Sequence, residues 1–306
     1  MRAWRVHAFG GIPALKLDEV PPPQPAEGEV VVRVLAASLN AADLLIARGA
    51  FPRVTEGDLP VTLGCDFVGI VERCGAAAEE FSAGEAVFGL ANLGQGSFAE
   101  YTLAERQALV PAPRTTDLST CAAIPLAALT AWQGLFKHGA LRAGQRVLIL
   151  GAAGGVGHCA VQMAANAGAI VYASAATQEF EFLRSMGAYQ VIDRDQPSED
   201  GCSEIDLVLD LVGGPAQDGA WRVLNKSGVL ASAVSVPNER SAVSPTQRSC
   251  RFVCQRDRND LEQICALVQT GRLRFSIARN FAFDRAPAAL QLLQQGGTRG
   301  KIILTL

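Results

Sequence analysis

The segment Leu148–Gly157 reads LILGAAGGVG, and it constrains the chain more than any other stretch. A short apolar run enters a glycine-rich turn, and Val156–Asn166 follows with helical spacing before Gly168. Strand, glycine turn and helix in that order are the context in which such a turn cradles a dinucleotide pyrophosphate. The glycines let the backbone approach the phosphates, and the helix N-terminus brings unpaired N–H groups and a partial positive charge. Ala152 holds the first fingerprint position, and Gly154 and Gly157 hold the other two. The residues assigned to the cofactor are Ala153, Gly154, Gly155, Val156 and Gly157. A tight turn without a ligand would need the same glycines, so the flanking pattern has to decide.

That pattern alternates. Strand-like Val147–Leu150, Ile170–Ala173, Gln190–Ile192, Asp206–Leu211 and Gly228–Val234 are interleaved with helix-like Val156–Asn166, Gln178–Met186 and Ala216–Leu224. The alternation implies a parallel sheet with helices on both faces. Open sheets of this kind bind ligands at the carboxyl ends of their strands. This selects Val212 and Gly213 after one strand and Val234 at the end of the next. The second strand ends Val171-Tyr172-Ala173-Ser174. It lacks the Asp or Glu that NAD sites place about 20 residues after the glycines. A carboxylate there would repel a 2′-phosphate. NADPH is therefore the expected cofactor and NADH the alternative, with Ser174, Thr177 and Arg194 as candidate phosphate partners.

Before about residue 110 the style differs. Glu29–Leu35, Phe67–Glu72, Ala86–Gly89 and Ser97–Leu103 are short apolar runs between turn residues and predict a β-rich domain. Ala41–Arg48 has helical spacing and ends at Gly49. One long helix is expected over Ser119–Phe136, kinked at Pro125. Further helices are expected over Leu261–Val268 and Ala286–Gln295, then a closing strand, Lys301–Leu306. A chain of 306 residues suggests about two domains. The expected division puts 1–120 and 256–306 in the β-rich domain and 121–255 in the dinucleotide domain. With 49% apolar and 19% charged residues the chain can bury a large core. A net charge of −3 argues against nucleic-acid binding. No run approaches the ~20 apolar residues of a membrane span, and the start, MRAWRVHAFG, lacks the apolar core of a signal peptide. A soluble, cytoplasmic protein with a small-molecule substrate is expected.

Six stretches, in this order, carry a resemblance: SLNAADLLIARG (Ser38–Gly49), GCDFVGIVERCG (Gly64–Gly75), ALTAW (Ala128–Trp132), GAAGGVG (Gly151–Gly157), DLVLDLVGG (Asp206–Gly214) and GKIIL (Gly300–Leu304). The chain resembles the medium-chain dehydrogenase/reductase superfamily, in its zinc-free quinone oxidoreductase (zeta-crystallin-like) branch. The resemblance implies an α/β protein built from a GroES-like β-rich domain and a Rossmann domain with a doubly wound parallel sheet, commonly as a homodimer. It also implies roles. Asn40 lies near nicotinamide and substrate, where its amide can donate to an acceptor carbonyl. Asp43 keeps the Asn-x-x-Asp spacing, as a catalytic partner or as a group that orients the following helix. Thr130 approaches the nicotinamide, Cys65 lines the substrate pocket, and Lys301 helps hold cofactor phosphate. Phe51 also lines the substrate pocket, where the family often has Tyr. The family's Ser-Ser pair, Lys and Tyr of the phosphate pocket are replaced by Ala175-Ala176, Glu179 and Arg194.

Zinc-dependent relatives place a Cys where this chain has Asn40, and Gly-His-Glu where it has Gly64-Cys65-Asp66. Cys65 alone cannot complete a site with three protein ligands. Ala91–Ala104 holds none of the eight cysteines, and Cys250 and Cys254 lack two further partners. No metal is expected. Three readings remain: an NADPH-dependent reductase of quinones or α,β-unsaturated carbonyls, a zinc-free alcohol or aldehyde reductase, and a non-catalytic nucleotide-binding protein.

Overall fold

Apolar residues at alternate positions, broken by turns, build the first half of the chain into strands. A computed structural model describes residues 1–306. In chain order it opens with β1 (Arg2–Val6), β2 (Leu15–Glu19), β3 (Glu29–Ser38), α1 (Ala41–Ala47), β4 (Val61–Thr62), β5 (Asp66–Cys74), β6 (Ala86–Leu90), β7 (Tyr101–Glu105), β8 (Leu109–Pro111) and α2 (Leu118–Cys121). There follow α3 (Pro125–Trp132), β9 (Arg146–Leu150), α4 (Gly157–Asn166), β10 (Ile170–Ala175), α5 (Phe180–Ser185), β11 (Gln190–Asp193), β12 (Ile205–Asp210), α6 (Gly214–Ala220), β13 (Leu224–Ser232) and β14 (Arg248–Arg251). The chain closes with α7 (Arg258–Gln269), β15 (Ile277–Ala282), α8 (Ala286–Gln295) and β16 (Lys301–Thr305). No helix is long and apolar enough to cross a membrane.

The chain divides into two units. The first comprises Met1–Leu126, Arg256–Gln269 and Ile277–Leu306. Its main sheet runs β15-β16-β3-β5-β6-β8, with β7 also paired to β3, and β2-β1-β4 form a second, smaller sheet. β3 pairs antiparallel with β5 and with β16, so that Ser38 lies opposite both Asp66 and Ile303. Val30, Val32, Phe67, Val87, Leu109 and Ile302 belong to its buried core. This is the GroES-like, β-rich architecture.

The second unit comprises Ala127–Gln255 and Thr270–Ser276. Its six strands run in the order β11-β10-β9-β12-β13-β14, and every pairing is parallel. The order reverses at β9, as in a Rossmann sheet. Leu148, Leu150, Tyr172, Val208, Trp221 and Leu230 pack its core. The expected division keeps 256–306 as one piece. Here Thr270–Ser276 groups with the second unit because α4 holds it: Gln162 donates to Arg274 O and accepts from Arg274 N, both at 2.9 Å. Asn166 donates to Arg272 O at 2.6 Å.

The kinked helix expected over Ser119–Phe136 is instead three pieces. α2 stops at Cys121, α3 starts at Pro125, and Gln133–His138 is a π turn. Proline lacks an N–H and has φ preset for a first helical turn, so it starts a helix more readily than it continues one.

Candidate active site

The end of β3 brings the first unit's candidate residues together. Asn40 is the N-cap of α1. Its Nδ2 donates to Asp66 Oδ1 at 2.9 Å and to Ser38 O at 3.2 Å, and its Oδ1 accepts from Lys301 Nζ. Both hydrogens of the amide are thus already engaged within the unit. Asp66, at the start of β5, is fully buried. It also accepts from Ser38 Oγ at 2.7 Å and from Leu126 N at 3.2 Å. Lys301 opens β16, and its ammonium donates to Leu39 O at 2.9 Å and stands 3.9 Å from Asp66 Oδ2. Lys301, read from sequence as a phosphate ligand, is thus 4% exposed and directed to Leu39, Asn40 and Asp66. Residues far apart in sequence meet here because β16 and β5 flank β3.

Asp43 braces the turn into α1. It is fully buried, and its oxygens accept from the backbone N–H of Asn40 at 2.8 Å and of Gly64 at 3.0 Å. The first bond is the return half of a capping box. Gly64 has φ +99°, and a Cβ there would lie 2.6 Å from Phe98 N, so this backbone can approach Asp43 only as glycine. Burial, and secondarily the charge of Asp66, push the Asp43 carboxyl up to about 7, against the opposing pull of the two backbone donors and Lys301. Burial pushes Asp66 up as well, opposed by Lys301 and its hydrogen-bond donors. The Cys65 thiol donates to Asp43 Oδ1 at 3.7 Å. Burial, then the neighbouring carboxylates, hold it well above the ordinary thiol range. It is a protonated thiol, not a nucleophile.

The Asp43 proton has a consequence for stability. Its carboxyl titrates at 3.8 ordinarily and at about 7 in the folded chain. Below the first value both states hold the proton. Between the two only the folded state does, so stability falls as pH rises, and the loss is complete above the folded pKa. The slope across that window is on the order of 1 kcal/mol per pH unit. Asp43→Asn is expected to remove this slope between pH 5 and 7, read by denaturant unfolding at each pH.

Phe51 is half-buried and packs against the first unit's apolar core. Thr130 lies in α3 and is buried.

In the second unit, β9 runs directly into the glycine turn and α4. Gly154 N donates to Gly151 O at 3.2 Å, and His158 N to Gly154 O at 3.1 Å. A Cβ on Gly157 would lie 2.3 Å from Gly151 O and 2.6 Å from Ala152 Cα. Ala153, Gly154, Gly155 and Val156 are half-buried. At the end of β10, Ser174 is buried and Thr177 exposed. Arg194 follows β11. Its N–H donates to Ala175 O at 2.9 Å, and its exposed guanidinium stands 3.8 Å from Asp195. That backbone bond sets Arg194 beside the end of β10. Val212 and Val234 are exposed at the strand ends, and Gly213 has φ +79°.

A buried carboxylate that the sequence reading passed over shapes this rim. Asp210, the last residue of β12, accepts from Val212 N at 3.0 Å, Gly213 N at 2.9 Å, Gln217 Nε2 at 2.7 Å and Ser232 Oγ at 2.7 Å. An acid closing an otherwise apolar strand, DLVLDL, was the available signal.

Known proteins match both units. Residues 26–114 match the alcohol dehydrogenase GroES-like domain, and residues 186–304 match the zinc-binding dehydrogenase family. The chain is 30% identical to the NADPH-dependent alkenal/one oxidoreductase of Arabidopsis thaliana and 31% identical to the 2-methylene-furan-3-one reductase of Solanum lycopersicum. In both cases the match covers 99% of this chain and 79% of the relative. The structure of the quinone oxidoreductase from Coxiella burnetii superposes with a TM-score of 0.93 at 29% identity, covering 100% of this chain and 99% of that one. The chain therefore belongs to the medium-chain dehydrogenase/reductase superfamily, in its quinone oxidoreductase branch of NAD(P)H-dependent oxidoreductases.

Proposed function

We propose that the protein is a metal-independent, NADPH-dependent reductase of α,β-unsaturated carbonyl compounds and quinones. The observation that carries this reading is the Asn40–Asp66–Lys301 arrangement: an amide donor and a fixed positive charge in a buried setting. The residues do not fit a zinc site. An ammonium stands beside Asp66, and the amide oxygen of Asn40 is bonded to that ammonium. The second unit does fit a dinucleotide, since β9, at the point where the parallel strand order reverses, runs into the glycine turn and the N-terminus of α4. The relatives named for alkenal/one and quinone reduction support the substrate class.

When bound, NADPH supplies the hydride. The acceptor's carbonyl oxygen gains negative charge as hydride arrives at the β-carbon, and a donor held at that oxygen stabilises the charge. The acceptor's oxygen shares, as a bifurcated bond, the Asn40 hydrogen that makes the longer, 3.2 Å contact with Ser38 O, and Asp66 and Lys301 stay as partners. The amide's orientation is then unchanged when the acceptor binds. The proton for the α-carbon comes from solvent. Val212 and Val234 offer apolar surface for the nicotinamide, and Arg194 offers a guanidinium for the 2′-phosphate.

Reduced-nicotinamide absorbance tests the reading directly. Enones and quinones should drive its loss with NADPH, and a chelator should not slow it. No turnover with either acceptor would overturn the proposal, and turnover with aldehydes alone would favour the alcohol/aldehyde reductase reading. Arg194→Ala should raise the KM for NADPH about tenfold, the scale of one charge-assisted contact, and leave that for NADH unchanged.

A further inference from the structure

The Lys301 side chain has a task that phosphate binding does not explain. It is 4% exposed, and a buried ammonium is costly unless paired and hydrogen-bonded. Its bonds go to Leu39 O and Asn40 Oδ1, and Asp66 Oδ2 stands at 3.9 Å. An isolated amide can turn over with little penalty, but this one cannot. An ammonium only donates and a carboxylate only accepts. Lys301 therefore claims the oxygen of Asn40, and Asp66 claims the nitrogen. A charge-assisted bond to the amide oxygen also polarises the amide, which strengthens its N–H as a donor.

We propose that Lys301 is the positioning residue of the reductase site, fixing the orientation of the Asn40 amide and strengthening the N–H that meets the acceptor's oxygen. The charge that a metal would supply directly to that oxygen is here relayed through an amide held between Lys301 and Asp66. The inference rests on the reading of Asn40 as the oxygen's donor.

Three variants and two readouts test it. Lys301→Met should lower kcat tenfold or more while the Kd for NADPH stays within twofold, and Lys301→Arg should keep kcat within about fivefold. Because Lys301→Met leaves Asp66 buried without its cation, Lys301→Met/Asp66→Asn removes both charges. Its melting temperature should recover towards wild type while kcat stays low. The second readout is hydrogen exchange of the Asn40 side-chain amide by NMR. Exchange should be slow in the wild type and in Lys301→Arg, and at least tenfold faster in Lys301→Met and in the double variant. A tenfold weaker Kd for NADPH in Lys301→Met would assign the ammonium to phosphate after all. Recovery of kcat together with melting would reduce Lys301 to charge balance. Unchanged amide exchange would overturn the proposal even if the wild type reduced none of the acceptors, an outcome that would itself sink the reductase reading.

Discussion

Gly157→Ala is expected to weaken nucleotide binding by a hundredfold or more and to destabilise the chain by about 3 kcal/mol, the upper range for overpacking a tight contact. The added methyl would sit 2.3 Å from Gly151 O and 2.6 Å from both Ala152 Cα and Ala152 O. All three are backbone atoms, so no side-chain rotation relieves the collision. α4 must retreat from the end of β9, and the helix N-terminus moves away from the position where it meets phosphate. Gly154→Ala is the control. Its methyl would meet only Gly151 O, at 3.4 Å, so stability should hold nearly unchanged. Calorimetric titration with NADPH and thermal melts read both variants. Wild-type affinity in Gly157→Ala would mean that the turn does not cradle the cofactor.

Asp210→Ala should be about as damaging, through a different cause. The carboxylate is fully buried and accepts from four donors in the loop after β12, in α6 and in β13. Hydrogen bonds to a charged group are worth about 1.5–3 kcal/mol each, and stranded buried donors add a penalty. Partial relaxation of the freed loop offsets part of that sum, and a net loss of about 4 kcal/mol is expected. At roughly 2–4 °C per kcal/mol for a domain of this size, the melting temperature should fall by about 10 °C. The loop that carries Val212 and Gly213 would lose its anchor, so NADPH should stabilise the variant less than it stabilises the wild type. A melt within a degree of wild type would show that the network is not a structural support.

The parts of the fold that can be read from sequence are those with local causes. LILGAAGGVG contains its own strand, turn and helix start, and β9 and α4 fall within one residue of the expected Val147–Leu150 and Val156–Asn166. The same holds for Ala286–Gln295, where helical spacing and the glycines after it mark both ends. β14 was missed because RSCR has no apolar alternation. It is a strand only because β13 offers an edge with which to pair. β1 and β2 were missed for a similar reason, since RAWRV and LKLDE gain their meaning from pairing with each other.

The candidate site divides along the same line. Asn40 and Gly157 lie in local motifs, which is why sequence alone offers them as candidates. The Asn-x-x-Asp spacing leaves two roles open for Asp43, and its backbone bonds to Asn40 and Gly64 display the helix-orienting one. The Lys301–Asn40–Asp66 contact depends on β16 returning beside β3, and no local pattern reports that a lysine in GKIIL will be buried against an asparagine near the start of the chain. In sequence Asp66 stands out only as part of a replaced metal motif, whereas in the fold its carboxylate accepts from Ser38, Asn40 and Leu126.

The central claim is metal-independent hydride delivery to the β-carbon of an enone. It is tested most directly with chelator-stripped enzyme, NADPH carrying deuterium at the transferable C4 position, and analysis of the product by NMR. The expected result is a saturated ketone with deuterium at the β-carbon, formed at the same rate before and after chelation. Deuterium at the carbinol carbon of an allylic alcohol, or product that forms only when zinc is restored, would contradict it.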